Sequence, residues 1–400
     1  MLDNQKIRSH FPFFKHTELV YLDNGATTQK PQNVIDAITD FYTYHNANVH
    51  RGVSEFASNI TALYEQARTK LAHYCQVTAE QIVWTKGATE AINLVASSID
   101  AHIEKDDVII ISALEHHANI VPWQTLCKRT GAKLHILPVD ANGVLNLDVS
   151  LAMINTLKPK LMAISHASNT LGNILPIQDL LDAAHAINAI TLVDGAQAMQ
   201  HLRPNISALS CDFYVLSAHK MFGPTGVGAL IAKPHSLSLL STYQTGGEMI
   251  ERVSFNETSF RHGNARFEAG TPNIAGVIGF AAALDFMGSS KMATQLAVEK
   301  ALYQYTLNAL KQIDGIKIYG DLNNNIGTIS FNYKDEHNLD VATLLDQAGI
   351  IVRSGNHCTQ PLINLLGVAG TIRVSLSCYN SFDDIDRFIV ALKQAIELLD

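Results

Sequence analysis

The stretch "AITLVDGAQ", residues 189–197, is an apolar run that stops abruptly at a carboxylate and a glycine. A short apolar run bounded by a turn is typical of a strand buried on both faces. A second run of this kind, "DFYVLSAHK" (212–220), ends with Ser217, His219 and Lys220. The two runs predict strands of a covered sheet, each with polar side chains at its carboxyl end.

Further strand-like runs lie upstream, and amphipathic stretches such as "IQDLLDAAHAI" separate such runs along the chain. They are "QIVWT" (81–85), "DVIIIS" (107–112), "KLHILPV" (133–139) and "KLMAISH" (160–166). This alternation predicts an α/β fold with a mostly parallel sheet covered by helices, within a large domain over residues 20–285. Ligands bind such sheets at the carboxyl ends of the strands, where the polar side chains lie.

The pattern changes after about residue 290. "GTISFNY" (327–333) and "TIRVSLSCY" (371–379) alternate between apolar and polar residues, which predicts half-buried strands. "SFDDIDRFIVALKQAIELL" (381–399) has a capping-box start and a periodic apolar stripe, so it predicts a helix. Residues 286–400, together with residues 1–19, are therefore expected to form a smaller α+β domain.

Composition narrows the possible partners. The 400 residues include 29 Lys and Arg against 37 Asp and Glu, which gives a net charge of −8. With no basic run, nucleic acid is not an expected partner. The first twenty residues carry charges throughout, so no signal peptide or membrane anchor is expected, and the chain is interpreted as cytoplasmic.

The five cysteines form no C-x-x-C pair, and their odd number argues against a disulfide framework and a zinc site. "EHHAN" (115–119) is not H-E-x-x-H, so we expect no metal. Helix or strand patterns, and hence a core position, are predicted for Cys75, Cys127, Cys211 and Cys378. Cys358 differs because it lies in a polar turn, "RSGNHCTQP" (353–361), after a predicted strand that ends at Arg353.

The polar strand ends fit one cofactor. A lone lysine after a strand is usually a surface charge, and a lone aspartate is usually a cap or a turn residue. Together, however, Lys220, Asp194 and the helix start that contains Thr89 match the needs of pyridoxal phosphate (PLP). That cofactor requires a lysine for a Schiff base, a carboxylate for its ring nitrogen and donors for its phosphate. "GPTGVG" (223–228) matches neither nucleotide-binding motif, so a nucleotide has no such support.

A family resemblance extends from about residue 8 to the end of the chain. The segments that carry it are "YLDNGATTQKP", "NVHRGVSEFA", "ALEHHANIVPW", "SHASNTLGNILPI", "VDGAQA", "DFYVLSAHKMFGPTGVGAL", "RFEAGTPN" and "RSGNHCTQPL". In these segments the chain resembles the group II, Suf-type cysteine desulfurases, a branch of the class V aminotransferases among the fold-type I PLP enzymes. The resemblance implies a seven-stranded sheet in the large domain and a catalytic cysteine in the small one.

The resemblance assigns the cofactor-binding residues. Lys220 would form the Schiff base and later move the α-proton of the substrate. Asp194 would pair with the ring nitrogen, Gln197 would bond the ring hydroxyl, and His116 would stack on the ring. The remaining cofactor contacts would come from Thr89, Ser217 and His219 at the phosphate, Asn169 near the ring hydroxyl, and Thr271 at the phosphate of a partner subunit. The last of these implies a homodimer.

The resemblance also assigns the substrate-binding residues and the nucleophile. Arg373 would hold the α-carboxylate of L-cysteine, with Asn169 and Arg353 nearby. Cys358 would attack the substrate sulfur, take it as a persulfide and leave alanine. Since the thiolate is the reactive form, His357 and Arg353 would favour it if their side chains point inward.

The implied function is desulfuration of L-cysteine, with sulfur passed to a SufE-like or CsdE-like acceptor for iron–sulfur cluster assembly. Two alternatives stay open. Selenocysteine lyase or cysteine sulfinate desulfinase activity would use the same fold, with L-selenocysteine or cysteine sulfinate as the substrate. A PLP-binding scaffold without enzymatic activity would release no alanine.

Three positions depart from the family pattern. Ala88 stands where the family usually has Thr, which removes a possible phosphate ligand. Asn356 stands where His is common, next to the expected nucleophile, and Thr245 replaces the first glycine of a three-glycine turn. In the family, that turn borders the active site of the partner subunit. The preference for a particular sulfur acceptor is therefore the property that the Thr245 departure is most expected to alter.

Overall fold

The structure, a computed structural model, describes residues 4–400. Its strands in chain order are β1 (Val20–Tyr21), β2 (Ile82–Thr85), β3 (Val108–Ser112), β4 (Lys133–Leu137), β5 (Leu161–Ser165), β6 (Ile190–Asp194), β7 (Phe213–Ser217), β8 (Gly228–Ala232), β9 (Ile250–Val253), β10 (Thr258–Phe260), β11 (Ile316–Tyr319), β12 (Thr328–Tyr333), β13 (Ile350–Ile351), β14 (Arg353–Gly355) and β15 (Thr371–Ser375).

The α-helices are α1 (Asn4–Arg8), α2 (Gln32–Asp40), α3 (Glu55–Cys75), α4 (Ala88–Ser98), α5 (Val121–Thr130), α6 (Leu147–Leu157), α7 (Ile177–Ala186), α8 (Ala198–His201), α9 (Ile206–Leu209), α10 (Pro234–Ser238), α11 (Ile274–Gly288), α12 (Ser290–Lys311), α13 (Asn338–Gln347), α14 (Gln360–Leu365) and α15 (Phe382–Leu399). Short 3-10 turns follow several strands and carry site residues, notably His117–Asn119 and Ala218–Lys220.

The predicted α/β sheet is confirmed. Seven strands lie in the order β2-β8-β7-β6-β5-β3-β4, and the contacts from β7 through β6, β5 and β3 to β4 are parallel. In this sheet, β8 is the one described strand that runs antiparallel to both of its neighbours, β2 and β7. All six apolar runs form strands of this sheet. The carboxyl ends of the parallel strands therefore meet at one edge, as expected.

Burial on both faces explains why these strands are apolar. Along β3, Ile110 packs into one hydrophobic core, whereas Ile109 and Ile111 pack into a second core on the opposite face. Helices α3, α7 and α11 cover the first face, and α4 and α5 cover the second. Side chains alternate across a strand, so a strand between two helix layers needs apolar residues at every position.

The seventh strand, β8, was not among the apolar runs because it begins with a glycine. A Cβ atom on Gly228 would lie 2.5 Å from the Cα of Gly87 and 2.5 Å from the carbonyl oxygen of Leu216. The backbone of β8 thus approaches the turn before α4 closely, and only glycine fits there. This contact fixes the start of α4 beside the end of β7.

A second sheet has the order β11-β12-β15-β14, with antiparallel pairs throughout. The prediction that β12 and β15 are half-buried is wrong, because all five residues of β15 are buried. Its polar face packs against the loops after β1 and β5 instead of facing solvent. The predicted strand over 371–379 also ends earlier, at Ser375.

The region before Cys358 forms two short strands rather than one. β13 pairs with β1 in a separate two-stranded sheet, whereas β14 joins β15 and extends through Gly355. The predicted end at Arg353 is therefore two residues early. The last helix, α15, begins as predicted, with Ser381 and Asp384 forming a capping box.

The two parts of the chain meet through an aromatic cluster. The ring of Phe11 lies 5.7 Å from that of Phe222, 5.4 Å from Phe286 and 4.6 Å from Tyr379, measured between centroids. Phe11 thus contacts both the large part and the C-terminal part of the chain. The division into residues 20–285 and residues 1–19 plus 286–400 stays a proposal.

Among the described residues, none of the helices combines the length and the apolar character that a membrane span requires.

We predict that Gly195→Ala destabilises the large sheet. An added Cβ would lie 2.0 Å from the Cε1 atom of Tyr214, whose ring is fully buried. Overpacking of this kind lowers the free energy of unfolding by about 1–3 kcal/mol. Urea unfolding followed by tryptophan fluorescence measures the change. Gly247→Ala is the matched control, because no atom lies within 4 Å of its added Cβ. Equal stabilities for the two variants would contradict the packing argument.

Candidate active site

One cavity of about 170 Å³ lies at the carboxyl edge of the large sheet, facing β15 and the Cys358 turn. All but one of the predicted site residues line it. They are Thr89, His116, Asn169, Asp194, Gln197, Ser217, His219, Lys220, Arg353, Cys358 and Arg373. Thr271 instead lines a second cavity of about 400 Å³, so the structure does not bring it to the Lys220 site of its own chain.

Lys220 and Asp194 provide the buried amine and carboxylate. Burial lowers the pKa of Lys220 to about 8, and the Asp194 charge opposes this shift. Burial also raises the pKa of Asp194, while the Ala196 amide, 3.0 Å from its Oδ1, partly offsets that effect. No other described residue donates a hydrogen bond to this carboxylate. A buried carboxylate with a single neutral donor suits a cationic partner such as a protonated ring nitrogen.

Four hydrogen bonds hold the carbonyl of His219, the residue before Lys220. The His219 carbonyl accepts hydrogen bonds from the Thr28 amide at 3.1 Å, from the Thr27 and Thr28 hydroxyls at 3.2 and 3.1 Å, and from the Lys30 amine at 3.0 Å. Burial lowers the pKa of Lys30 to about 7. The segment 27–30 therefore anchors the turn that carries Lys220.

The phosphate end of the predicted site is built around the start of α4. The Ala88 amide donates a hydrogen bond to the Ser217 hydroxyl at 2.8 Å, and Thr89 follows in the first helical turn. Burial lowers the pKa of His219 to about 4, so its ring is neutral. Unpaired amides at a helix N-terminus attract anions, and the Ala88 amide, which any residue at position 88 other than proline would provide, orients the Ser217 hydroxyl. These groups fit a phosphate without the missing Thr hydroxyl.

His116 is a neutral ring in a fixed orientation. Its Nδ1 accepts a hydrogen bond from the Ala118 amide at 3.0 Å, which leaves the ring proton on Nε2. Burial, reinforced by the Lys220 charge, lowers its pKa to about 3. A neutral ring held in this way suits stacking on a flat cofactor.

Glu115, next to His116, is a fully buried carboxylate. It accepts hydrogen bonds from the Ser112 and Ser165 hydroxyls, both at 2.5 Å, from the Ser165 amide at 2.9 Å and from the Asn119 side chain at 2.7 Å. These donors come from the ends of β3 and β5 and from the turn after His116. Burial raises the pKa of Glu115 to about 7, against the lowering effect of its hydrogen bonds.

Arg373 is a buried guanidinium, only 1% exposed. It donates to the Asp23 carboxylate at 2.6 Å and to the Asn169 carbonyl at 2.9 Å. Its Nε is buried and has no partner among the described residues. A surface salt bridge is therefore excluded. Arg353 lies directly opposite Arg373 in the β14–β15 pair, so two guanidinium groups border the cavity and suit a carboxylate.

Cys358 lies in a turn with left-handed backbone. His357 has φ 48° and Cys358 has φ 59°. The His357 ring points inward, and its Nε2 lies 2.9 Å from the Thr371 hydroxyl. Burial lowers the pKa of His357 to about 3, so it adds no positive charge beside the thiol. Of the two side chains expected beside the thiol, Arg353 is the cationic one. Of the other cysteines, Cys75, Cys211 and Cys378 are buried as predicted, whereas Cys127 is partly buried and packs against the second hydrophobic core.

The residues present fit PLP. The cavity joins a buried amine, a carboxylate that forms no ion pair with any described residue, a helix N-terminus and a neutral ring in one space. Sequence reasoning missed three supporting residues: Asp23, Lys30 and Glu115. All three lie within quoted motifs, "YLDNGATTQKP" and "ALEHHANIVPW", so the signal available was a charged residue inside a segment already assigned to the site.

We predict a pH-dependent difference between the wild type and Glu115→Gln. The folded-state pKa of Glu115, about 7, exceeds its ordinary value of 4.5. The wild type therefore loses stability relative to the variant as pH rises from 4.5 through 7, by about 3 kcal/mol. Urea unfolding at pH 4.5 and pH 7.5 measures it. Glu397→Gln, on an exposed part of α15, is the control. A difference that does not change with pH would refute the argument.

The comparisons with known proteins agree with this geometry. A probable cysteine desulfurase of Vibrio cholerae is 42% identical over 405 residues and aligns with all of both chains. The apo structure of a cysteine desulfurase from Thermococcus onnurineus is 34% identical, with TM-score 0.94 and 98% of both chains covered. The S-sulfonic acid form of the cysteine desulfurase CsdA from Escherichia coli is 35% identical, with TM-score 0.92 and 99% of both chains covered.

The family model described as "Aminotransferase class-V" matches residues 20–388. This range includes the whole seven-stranded sheet, Lys220 and the Cys358 turn. The chain belongs to the class V aminotransferase family.

Proposed function

We propose that the protein is a PLP-dependent cysteine desulfurase that converts L-cysteine to L-alanine and retains the sulfur as a persulfide on Cys358. One observation carries the proposal: the thiol of Cys358 and the amine of Lys220 border the same cavity, although 138 positions separate them in the sequence, 358 against 220. Relatives named cysteine desulfurase align over the full chain, which supports the same activity.

PLP is the cofactor of this family, and when bound it supplies an electron sink that labilises bonds of the substrate amino acid. Lys220 would hold the cofactor and move the α-proton, for which a pKa of about 8 is suitable. Asp194 would keep the ring nitrogen protonated, and Gln197 would lie at the ring hydroxyl. Gln197 is oriented for this by the Gly25 carbonyl, which accepts its amide proton at 2.8 Å. His116 would stack on the ring face.

Thr89, Ser217 and His219 would hold the phosphate. Arg373 would bind the substrate carboxylate, since its unpartnered Nε adds a donor to those already paired with Asp23 and Asn169. Asn169 would border both cofactor and substrate. Arg353 would add positive charge beside the thiol.

With PLP bound as the electron sink, sulfur transfer needs one further reacting group, the Cys358 thiol. The Cys358 thiolate attacks the substrate sulfur, so an S–S bond forms while the substrate C–S bond breaks. The electron pair of the broken bond stays on the carbon side, which takes up a proton to become alanine. The balance is one thiol and one L-cysteine converted to one persulfide and one L-alanine. No external oxidant is needed.

We propose that the working unit is a homodimer. Thr271 lines a cavity separate from that of Lys220, which supports a role at the phosphate of a partner subunit. We also propose a reducing, cytoplasmic setting, because the nucleophile must remain a free thiol.

We propose a SufE-like or CsdE-like protein as the sulfur acceptor, with iron–sulfur cluster assembly as the destination. The turn that carries Cys358 is short and bonded to the large sheet on both sides, which argues against long excursions of the persulfide. Selenocysteine lyase, cysteine sulfinate desulfinase and the inactive scaffold are not favoured. The cavity contains a thiol that sulfinate or selenium release does not strictly need.

We predict that the purified holoenzyme releases alanine from L-cysteine and gains one sulfur atom, 32 Da, on the peptide that contains Cys358. Cys358→Ala should lower alanine release by roughly a hundredfold or more, because the nucleophile is lost. Peptide mass spectrometry and an alanine assay measure the two effects. Cys127→Ala, a partly exposed cysteine on α5, should keep full activity. A persulfide on another cysteine would disprove the assignment.

Alanine release should be slow without an acceptor and severalfold faster with one, because each turnover leaves a persulfide that must be cleared. The measurement compares initial rates with SufE-like protein, with CsdE-like protein and with dithiothreitol. As controls, the SufE-like and CsdE-like proteins are also tested as variants in which alanine replaces the acceptor cysteine. If none of the three raises the rate, the relay proposal is wrong.

A further inference from the structure

The turn from Asn356 to Gln360 is strained and needs support from outside. Gly355, His357 and Cys358 all have positive φ, at 105°, 48° and 59°. Non-glycine residues adopt this conformation at an energetic cost, and it persists where surrounding contacts enforce it. Within the turn, the Thr359 amide and hydroxyl donate to the Asn356 carbonyl at 2.7 and 3.0 Å. These internal bonds do not fix where the turn lies relative to the large sheet.

His117 contacts the turn on both sides of the nucleophile. Its backbone amide donates to the Cys358 carbonyl at 2.8 Å. Its side-chain Nε2 accepts a hydrogen bond from the Gln360 amide at 3.0 Å. The backbone bond is available to any residue except proline, whereas the second bond requires a side-chain acceptor at the Nε2 position.

This second bond acts as a helix cap supplied from a distant segment. Gln360 is the first residue of α14, and the first amides of a helix have no partner within the helix. Thr359, the N-cap residue, forms no side-chain capping bond. Its hydroxyl instead contacts Thr170 at 2.8 Å and the Asn356 carbonyl at 3.0 Å. The imidazole of His117 thus replaces the missing cap.

Two other contacts hold neighbouring positions. The Asn169 amide donates to the His357 carbonyl at 2.7 Å, and Thr170 contacts Thr359. These bonds come from the loop after β5, whereas His117 lies in the turn after β3. The Cys358 turn is therefore held between two loops of the large sheet, and His117 is the side chain that joins it to the His116 segment.

We propose that His117 is a positioning residue for Cys358: its imidazole, protonated on Nδ1, caps α14 and holds the thiol towards the cavity. This inference rests on the proposed function, since the thiol matters only if it takes sulfur from the substrate. Glutamine can reproduce the acceptor, because its terminal amide reaches the position of the imidazole Nε2. Leucine has similar bulk but no acceptor.

The experiment compares His117→Leu and His117→Gln as holoenzymes. In the leucine variant, the Gln360 amide should exchange with deuterium roughly fivefold faster, since one neutral hydrogen bond is lost. The kcat for alanine release with a saturating reductant should fall by roughly the same factor. KM for L-cysteine and the visible absorbance of the cofactor should not change. The glutamine variant should match the wild type within about twofold in both exchange and kcat.

His73→Leu, at an exposed position of α3, controls for the loss of a histidine. Equal losses of kcat in the leucine and glutamine variants would overturn the proposal, and so would unchanged exchange at Gln360 in the leucine variant. A wild type that releases no alanine would defeat the proposed function instead. The exchange measurement would then still decide whether His117 holds the turn.

Discussion

The site depends on the contacts of the buried Arg373 guanidinium with the Asp23 carboxylate and the Asn169 carbonyl. A charge removed from water is tolerated only with a close partner and further hydrogen bonds. Arg373 finds them on two other segments, in Asp23 after β1 and in the Asn169 carbonyl after β5. The polar face of the small sheet is thereby held against the carboxyl edge of the large sheet. The same guanidinium borders the cavity. Arg373 therefore both joins the two sheets and provides a cationic group that suits a carboxylate.

The charges around the cavity suit anions. Arg373, Arg353 and Lys220 contribute cationic groups, while Asp194 lines the cavity and Asp23 pairs with Arg373. The histidines add no charge, because burial lowers the pKa of His116, His219 and His357 well below neutrality. Cationic groups therefore outnumber carboxylates around the cavity, which suits a phosphate and an α-carboxylate. Low local polarity strengthens each of these interactions relative to water.

Backbone geometry and hydrogen bonds from neighbouring loops position Cys358. Two consecutive left-handed residues, His357 and Cys358, turn the chain back into the cavity, and loops after β3 and β5 bond that turn. A turn held in this manner favours a short, defined path to the substrate sulfur. It also limits how far the Cys358 side chain can move from the cavity.

The sequence by itself determined six strands of the large sheet, their mostly parallel arrangement and the polar side chains at their carboxyl ends. Local periodicity and the ends of apolar runs at Asp194 and Ser217 need no knowledge of distant contacts, and neither does the capping box of α15. Only the tertiary structure decided that β15 is buried on its polar face, that His357 is neutral, that Glu115 and Lys30 support the site, and that Thr271 lies in another cavity. Each of these depends on which remote segments pack together. Burial and hydrogen bonding between such segments shift the pKa of a side chain and so decide its charge. The local sequence around that side chain does not specify which remote segment will cover it.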